Sequence, residues 1–257
     1  MQSQVAEIAE INFTNYVDTI TQALENIQAR EVLAKQTRIL IKPNLINDTP
    51  PPVTTPVECC EAIIDYLQKN TKAEILVGEG CGEPGITTDE VFANLGYKKL
   101  ASKKKIKLLD LNESPLVKKE NEGCRLYPHM YLPQIVFKSF LISVPVLKAH
   151  SIATITGTLK NMMGLLPPKH YSGGFGIWKK SRFHHKMQQS IIELNLYRQP
   201  DLTIFDATIG LQDFHLGGRH CSPPVNKILA GFDSREIDRK AAQLLGLNWK
   251  SIKHLQP

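Results

Sequence analysis

The segment at residues 147–164, LKAHSIATITGTLKNMMG, follows the apolar run FLISVPV and carries residue types used in acid–base chemistry. Lys148 and His150 are separated by one residue, so they point to the same face if the chain stays extended. A desolvated lysine or a histidine can exchange a proton near neutral pH. We therefore predict Lys148 and His150 as catalytic residues. The ordinary alternatives are a surface lysine and a turn histidine that is satisfied by its surroundings.

The second half of this segment has the composition of an anion site. The stretch TITGT offers small residues and free backbone N–H groups where a helix should start, an arrangement that holds carboxylates and phosphates. Thr156 and Lys160 are four residues apart and share a helical face. A lysine in the first helical turns opposes the helix dipole, so its position favours binding over stability. We predict Thr156, Gly157, Lys160 and Asn161 as ligand-binding residues.

Other predicted strands also end in polar residues. RILIK runs into Lys42 and Asn44, EILVG into Glu79, and LTIF into Asp206. Ligands of open parallel sheets bind at the carboxyl ends of the strands. We therefore expect Lys42, Asn44 and Glu79 to bind the ligand, and Asp206 to act as a catalytic residue that orients His150 or binds substrate hydroxyls. The alternative for each is a strand that simply reaches solvent.

The elements that would position these residues alternate between strand and helix. Strands are predicted at 37–42, 73–78, 137–146 and 201–207 and at the runs KIKLLDL and NKILAGF, with helices of 10–15 residues between several of them. This alternation predicts an α/β fold with a largely parallel or mixed sheet flanked by helices. Residues 113–137 are an extended or hairpin excursion, and 167–183 are a long loop that could act as a lid. The absence of a clear linker favours one compact domain over 1–257.

Helix boundaries are indicated by capping patterns. A first helix is predicted over about 13–30. Capping boxes are expected at three helix starts: Thr55 with Glu58, Thr87 with Glu90, and Asp233 with Glu236. Asp238, inside the last helix, is expected to be exposed or to lie on the rim of the site.

The cysteines give no sign of a cofactor site. Cys59, Cys60, Cys81, Cys124 and Cys221 are scattered and form no C-x-x-C pair, which argues against disulfides, structural zinc and iron–sulfur ligands. Reduced thiols fit best. A metal site of His150, His170 and a carboxylate is possible on residue types, but no metal ligands are assigned. The cofactor stays unknown.

The net charge and the hydropathy of the chain limit the kinds of partner that we expect. Lys and Arg total 31 against 25 Asp and Glu, a net charge of +6, which favours an anionic partner. The basic runs KKLASKKKIK and IWKKSRFHHK are interpreted as solvated surface. No apolar run is long enough to span a bilayer, and no signal peptide is visible. We expect a cytoplasmic protein that does not bind membranes.

The order of the motifs resembles a known family. The segments LIKPNL, TTPVECCEAIIDYL, ILVGEG, LISVPVLKAH, TGTLKNMMGLLP, PDLTIFDATIGL and NKILAGFDSREIDRKAAQLLG are similar to those of the family named domain of unknown function 362. The resemblance covers roughly residues 37–255. Many members are associated with ferredoxin-like iron–sulfur modules, so the resemblance implies an iron–sulfur partner protein, because this chain has no cluster ligands of its own. The positions that match the family's pattern are Lys42, Asn44, Glu79, Lys148, His150, Lys160, Asn161, Asp206 and Asp233.

Three functions follow from the sequence. The leading hypothesis is an enzyme that binds a small carboxylate or phosphate and uses lysine and histidine for isomerase, racemase or lyase chemistry. The second is a redox accessory that works with an iron–sulfur or flavin partner. The third, least favoured, is nucleic-acid binding through the basic runs. The substrate, the reaction and the oligomeric state are not fixed by the sequence.

Overall fold

The centre of the molecule is a mixed β-sheet, seen in a computed structural model that describes residues 7–174 and 176–256. Within those residues, nine strands form this sheet and two form a separate hairpin. The strands are β1 (Ile8–Asn12), β2 (Arg38–Pro43), β3 (Glu74–Glu79), β4 (Lys107–Asp110), β5 (Leu116–Glu120), β6 (His129–Pro133), β7 (Phe140–Val144), β8 (Val146–His150), β9 (Thr154–Thr156), β10 (Leu202–Leu211) and β11 (Lys227–Gly231).

The order of the strands creates a switch point. The path runs β1-β11-β10-β7-β2-β3-β4, and the five strands from β10 to β4 are parallel. From β2 the chain continues to β3 and β4 on one side, whereas from β7 it continues to β10 on the other. Loops therefore diverge between β2 and β7, which is where open sheets of this kind bind ligands. The short hairpin of β8 and β9 lies beyond β7 and extends this edge.

Helices cover both faces of the sheet. Those in the described residues are α1 (Tyr16–Asn26), α2 (Ala29–Ala34), α3 (Val57–Asn70), α4 (Thr88–Asn94), α5 (Tyr97–Lys104), α6 (Thr158–Asn161), α7 (Pro168–Tyr171), α8 (Met187–Tyr197) and α9 (Ser234–Leu244). One core contains buried residues of α1 to α5, and the other contains those of α6, α8 and α9.

Alternation along the strands divides the side chains between these two cores. In β2, Ile39 and Ile41 pack into the first core and Leu40 into the second. This follows from the two-residue period of a strand. Both faces of β2 are buried, as expected of a central parallel strand, which explains its near-continuous apolar sequence.

The α/β prediction is confirmed, and so is the hairpin: β5 and β6 pair as antiparallel strands inside residues 113–137. The edge strand β1 was not predicted. The helix expected over 13–30 is divided into α1 and α2, because Gln28 adopts a left-handed conformation with φ 55°. The local sequence pattern does not predict that the helix is interrupted at this residue.

The capping predictions have different outcomes. Thr87 and Glu90 form the expected capping box of α4, and Asp233 caps α9 through the N–H groups of Arg235 and Glu236. The prediction for α3 is wrong: Pro56 is its N-cap residue.

Thr55, the residue expected to cap α3, turns inward. Its hydroxyl donates to the carbonyl oxygen of Val144 at 2.7 Å and accepts the N–H of Asn44 at 2.8 Å. The hydroxyl therefore joins the ends of β2 and β7 and satisfies its own hydrogen bonds in the interior, where an unpaired hydroxyl would be costly.

None of the helices in the described part of the chain has the length and apolarity needed to cross a bilayer.

Candidate functional site

The carboxyl ends of β2, β3 and β8 open into a cavity of about 740 Å³. Most residues predicted from the sequence line it, and they come from strand ends and from α6. They are Lys42, Asn44, Glu79, Lys148, His150, Thr156, Lys160 and Asn161. The switch point of the sheet therefore brings together side chains that are more than one hundred residues apart in the chain.

Lys42 and Glu79 form a buried ion pair at the base of the cavity. The Lys42 ammonium lies 2.9 Å from both carboxylate oxygens of Glu79 and 3.0 Å from Oδ1 of Asn161. Glu79 also accepts the N–H groups of Leu45 and Gly80. Burial lowers the pKa of Lys42, and the charge of Glu79 opposes that effect. The pair is fully hydrogen-bonded, which a buried pair needs in order to persist.

Lys148 is held by two neutral acceptors. Its ammonium donates to Oδ1 of Asn44 at 2.6 Å and to the carbonyl oxygen of Val53 at 2.5 Å. Burial and, second, the charge of Lys160 lower the pKa of Lys148 to about 7. With two of its three N–H positions fixed, the remaining position carries either a proton or the lone pair. This is the geometry of a group that can exchange one proton near neutral pH.

His150 presents a fixed tautomer. Its Nδ1 accepts the N–H groups of Ile152 and Ala153 at 3.0 and 3.1 Å, so the proton of the neutral ring lies on Nε2. The ring stacks on His215 with 3.8 Å between centroids. Burial, the charge of Lys160 and the neighbouring His215 lower the pKa of His150 strongly. A neutral imidazole in this state is a hydrogen-bond donor, not a base.

Lys160 is the lysine of the cavity without a fixed acceptor. Within residues 7–174 and 176–256, its ammonium makes no hydrogen bond and no ion pair. Burial and the charge of Lys42 lower the pKa of Lys160 to about 8, which leaves most of it protonated at pH 7. The Lys160 side chain is only partly buried and opens to the cavity, so a molecule in the cavity can reach its ammonium.

The start of α6 differs from the prediction. The N–H groups of Thr158 and Leu159 donate to the carboxylate of Asp238 at 2.6 and 2.9 Å. A Cβ atom at Gly157 would lie 2.4 Å from that carboxylate, so the glycine admits Asp238 to the helix end.

Two expectations are therefore wrong. Asp238 is fully buried, not exposed, and the N–H groups after Gly157 bind this carboxylate instead of a ligand. Burial raises the pKa of Asp238 to about 7, although the two N–H donors oppose the rise.

Asp206 lies outside the cavity. Its carboxylate accepts the Tyr16 hydroxyl at 2.8 Å and the N–H and hydroxyl of Thr208 at 2.9 and 2.7 Å. Burial raises its pKa. The side chain fixes α1 against β10, and it does not reach His150, whose Nδ1 is oriented by backbone N–H groups instead. Asp206 was predicted to be catalytic because a strand was expected to end at residue 207, but β10 continues to Leu211 and Asp206 lies in the middle of it.

Lys180 was missed by the sequence reasoning, which placed it in a solvated basic run. It is 5% exposed, and its ammonium donates to the carbonyl oxygens of Gly80 and Gly164 at 2.6 and 2.9 Å. Burial lowers its pKa to about 7, against the charge of Glu79. These bonds attach the 167–183 segment to β3, and no local spacing marks them because the partners lie 100 and 16 residues away.

The cavity is strongly cationic. Among the described residues that line it, four are lysines and one is a carboxylate, Glu79. Part of the remaining lining is apolar, including Ile152, Trp178 and Phe214.

The structure also tests whether side chains converge to bind a metal ion or an iron–sulfur cluster. Within the part of the chain that the structure describes, no three His, Cys, Asp or Glu side chains converge as a metal site. His170, a candidate by residue type, stacks on Tyr131 at 4.1 Å between ring centroids. The partner protein with an iron–sulfur cluster, implied by the resemblance, stays a prediction.

A mixed sheet flanked by helices, with a lysine-lined cavity at its switch point, defines the class of this chain as an α/β protein. The chain belongs to the family described as Domain of unknown function (DUF362), whose model matches residues 39–243. This confirms the resemblance drawn from the motifs. The search of curated proteins found no match to this chain.

Proposed function

We propose that this protein is an enzyme that binds a small organic anion in the lysine-lined cavity and moves a proton on it. The observation that carries the proposal is Lys160, whose ammonium lines the cavity without an acceptor among the described residues. A carboxylate or phosphate supplies that acceptor and offsets the excess of positive charge around it.

The neighbouring groups support proton transfer. Lys148, with a pKa lowered to about 7, has one tetrahedral position that its two acceptors leave unused. It is the base that removes a proton from a carbon next to the bound carboxylate. His150 donates its Nε2 proton as a hydrogen bond to the oxygen on which charge develops. Isomerisation, racemisation and lyase reactions share this first step.

Binding is tested by isothermal titration calorimetry with inorganic phosphate and with simple carboxylates. Lys160→Ala should weaken binding by about tenfold or more, since it removes a charge-assisted hydrogen bond. The matched control is Lys99→Ala, because Lys99 is an exposed lysine outside the cavity. If Lys160→Ala and Lys99→Ala bind these anions with equal affinity, Lys160 does not bind the anion.

Proton transfer is tested by exchange of carbon-bound hydrogen with deuterated solvent, followed by NMR on a panel of carboxylates. Exchange with the wild type and its loss in Lys148→Ala, with ligand binding retained, is the expected result. Undiminished exchange in Lys148→Ala would show that another group is the base.

A further inference from the structure

We propose that the ligand is an amphipathic anion, with its carboxylate or phosphate among the buried lysines and an aromatic or aliphatic body that extends to the mouth of the cavity. This inference rests on the proposed function and narrows the class of substrate. It comes from the way in which polarity changes with depth in the cavity.

The base of the cavity is polar and buried. Lys42 is 0%, Lys148 1% and Glu79 2% exposed. The mouth is apolar and open, because Ile152 is 51% and Phe214 44% exposed. An anion held at the base therefore leaves apolar side chains in water above it, unless the same molecule covers them. Covering apolar surface is favourable.

A path of ring faces joins the two ends. The ring of Phe214 lies 4.9 Å from that of His215, and His215 stacks on His150 at 3.8 Å. His150 is 8% exposed, whereas Phe214 is 44% exposed, so the three rings lead from the mouth to the base. His150 and His215 both have lowered pKa values, in each case chiefly through burial, and as neutral rings they can pack against a flat apolar body.

The volume agrees with a body larger than the anionic group. About 740 Å³ corresponds to about 25 water molecules at about 30 Å³ each. This is within the range of about 300–1,000 Å³ that is typical of pockets for ligands of drug size. A carboxylate or phosphate alone would leave most of the cavity to water.

The test uses two series of probes with the full chain: inorganic phosphate, phenyl phosphate and 2-naphthyl phosphate, and acetate, phenylacetate and 2-naphthylacetate. In calorimetry, the naphthyl compound of at least one series should bind about tenfold or more tightly than its small parent anion, because each added ring buries apolar surface. Phe214→Ala should weaken the naphthyl compound by about threefold or more and leave the parent anion unchanged.

Phe232→Ala is the matched control, because Phe232 is also an exposed phenylalanine, at 37%, but does not line the cavity. Equal affinities within both series would overturn the inference, and so would equal effects of Phe214→Ala and Phe232→Ala. If the binding of the parent anions depends on Lys160 but the phenyl and naphthyl groups do not increase the affinity, the inference fails and the proposed function stands. If no probe binds, both fail together.

Discussion

Lys160 differs from the other lysines of the cavity in what its ammonium contacts. Lys42 pairs with Glu79, Lys148 with Asn44 and Val53, and Lys180 with two carbonyl oxygens. Each of these three is fixed in place by the protein. For Lys160 the described residues supply no hydrogen-bond acceptor, and in the proposed function the ligand supplies one.

The affinity for anions should therefore depend on pH through Lys160. A bound anion favours the ammonium form, so binding requires proton uptake once pH exceeds the pKa of about 8. We expect the affinity for a simple carboxylate, whose own charge is constant above pH 6, to fall by up to about tenfold per pH unit above pH 8.

The variant Lys160→Arg isolates this effect, because arginine stays protonated over the whole range. Its carboxylate affinity, measured by calorimetry from pH 6 to 9.5, should fall less above pH 8 than that of the wild type. Identical profiles would mean that other groups set the pH dependence.

The residues that line the cavity were predictable from the sequence where they lie at the ends of strands. Lys42, Glu79, Lys148 and His150 were all predicted in this way, since parallel strands carry their last residues to one edge. The same rule failed for Asp206, because the strand does not end there: β10 continues for five more residues, to Leu211. Lys180 could not be found, because its position depends on hydrogen bonds from a loop to distant carbonyls.

At the scale of elements, two tight contacts set the position of the segment after β9. Gly157 lets Asp238 of α9 reach the first N–H groups of α6. Gly164 lets the next turn pass directly over the ion pair of Lys42 and Glu79. Neither contact was predictable, since each joins residues that are 80 or more positions apart and leaves no periodic pattern.

Asp238→Ala should destabilise the protein by about 3 kcal/mol, because it leaves two buried N–H groups without an acceptor. Asp233→Ala, in the exposed cap of the same helix, should cost about 1 kcal/mol. Urea unfolding followed by circular dichroism measures both. The reverse ranking would show that Asp238 contributes little to holding α6.

Gly164→Ala tests the second contact. Its Cβ would lie 2.1 Å from Oε1 of Glu79 and 2.5 Å from the Lys42 ammonium, so the ends of these two side chains would have to move. Overpacking a buried site costs about 1–3 kcal/mol, and urea unfolding should show a loss of this size.

The exposed Gly123 provides the control, since a Cβ there meets only the Asn121 side chain at 3.2 Å. Gly123→Ala should leave the free energy of unfolding within about 0.5 kcal/mol of the wild type. A Gly164→Ala protein of wild-type stability would contradict the close approach of this turn.

For the whole molecule, the buried lysines make stability depend on pH. Lys148 and Lys180 have folded-state pKa values of about 7, against 10.5 for the ordinary group. Between these values the unfolded chain binds more protons than the folded one, so the free energy of unfolding rises with pH. The sign follows from burial, which penalises the charged form.

We expect the free energy of unfolding of the ligand-free protein to rise between pH 7.5 and 8.5, by up to about 1 kcal/mol for each of these lysines. The window ends below pH 9 because burial raises the thiol pKa values of Cys59 and Cys60, and these groups act in the opposite direction above it. Urea unfolding at a series of pH values, without phosphate in the buffer, measures the slope. Lys148→Met should flatten it, and a falling slope in the wild type would contradict the assignment.

The whole fold was the most predictable level. The five parallel strands were predictable because the sequence has apolar runs separated by helices. The hairpin of β5 and β6 was predictable because a segment with several prolines and a glycine interrupts that alternation. β1 was not found, because it pairs with β11 more than 200 residues later in the chain.

The outer strand β4 has a consequence for behaviour in concentrated solution. It ends the sheet, is only four residues long and begins with the exposed Lys107, which pairs with Glu74 on β3. A short edge with a charge at its start is a poor template for a strand of another chain. This side of the sheet is therefore protected against the edge-to-edge aggregation to which long, apolar outer strands are prone.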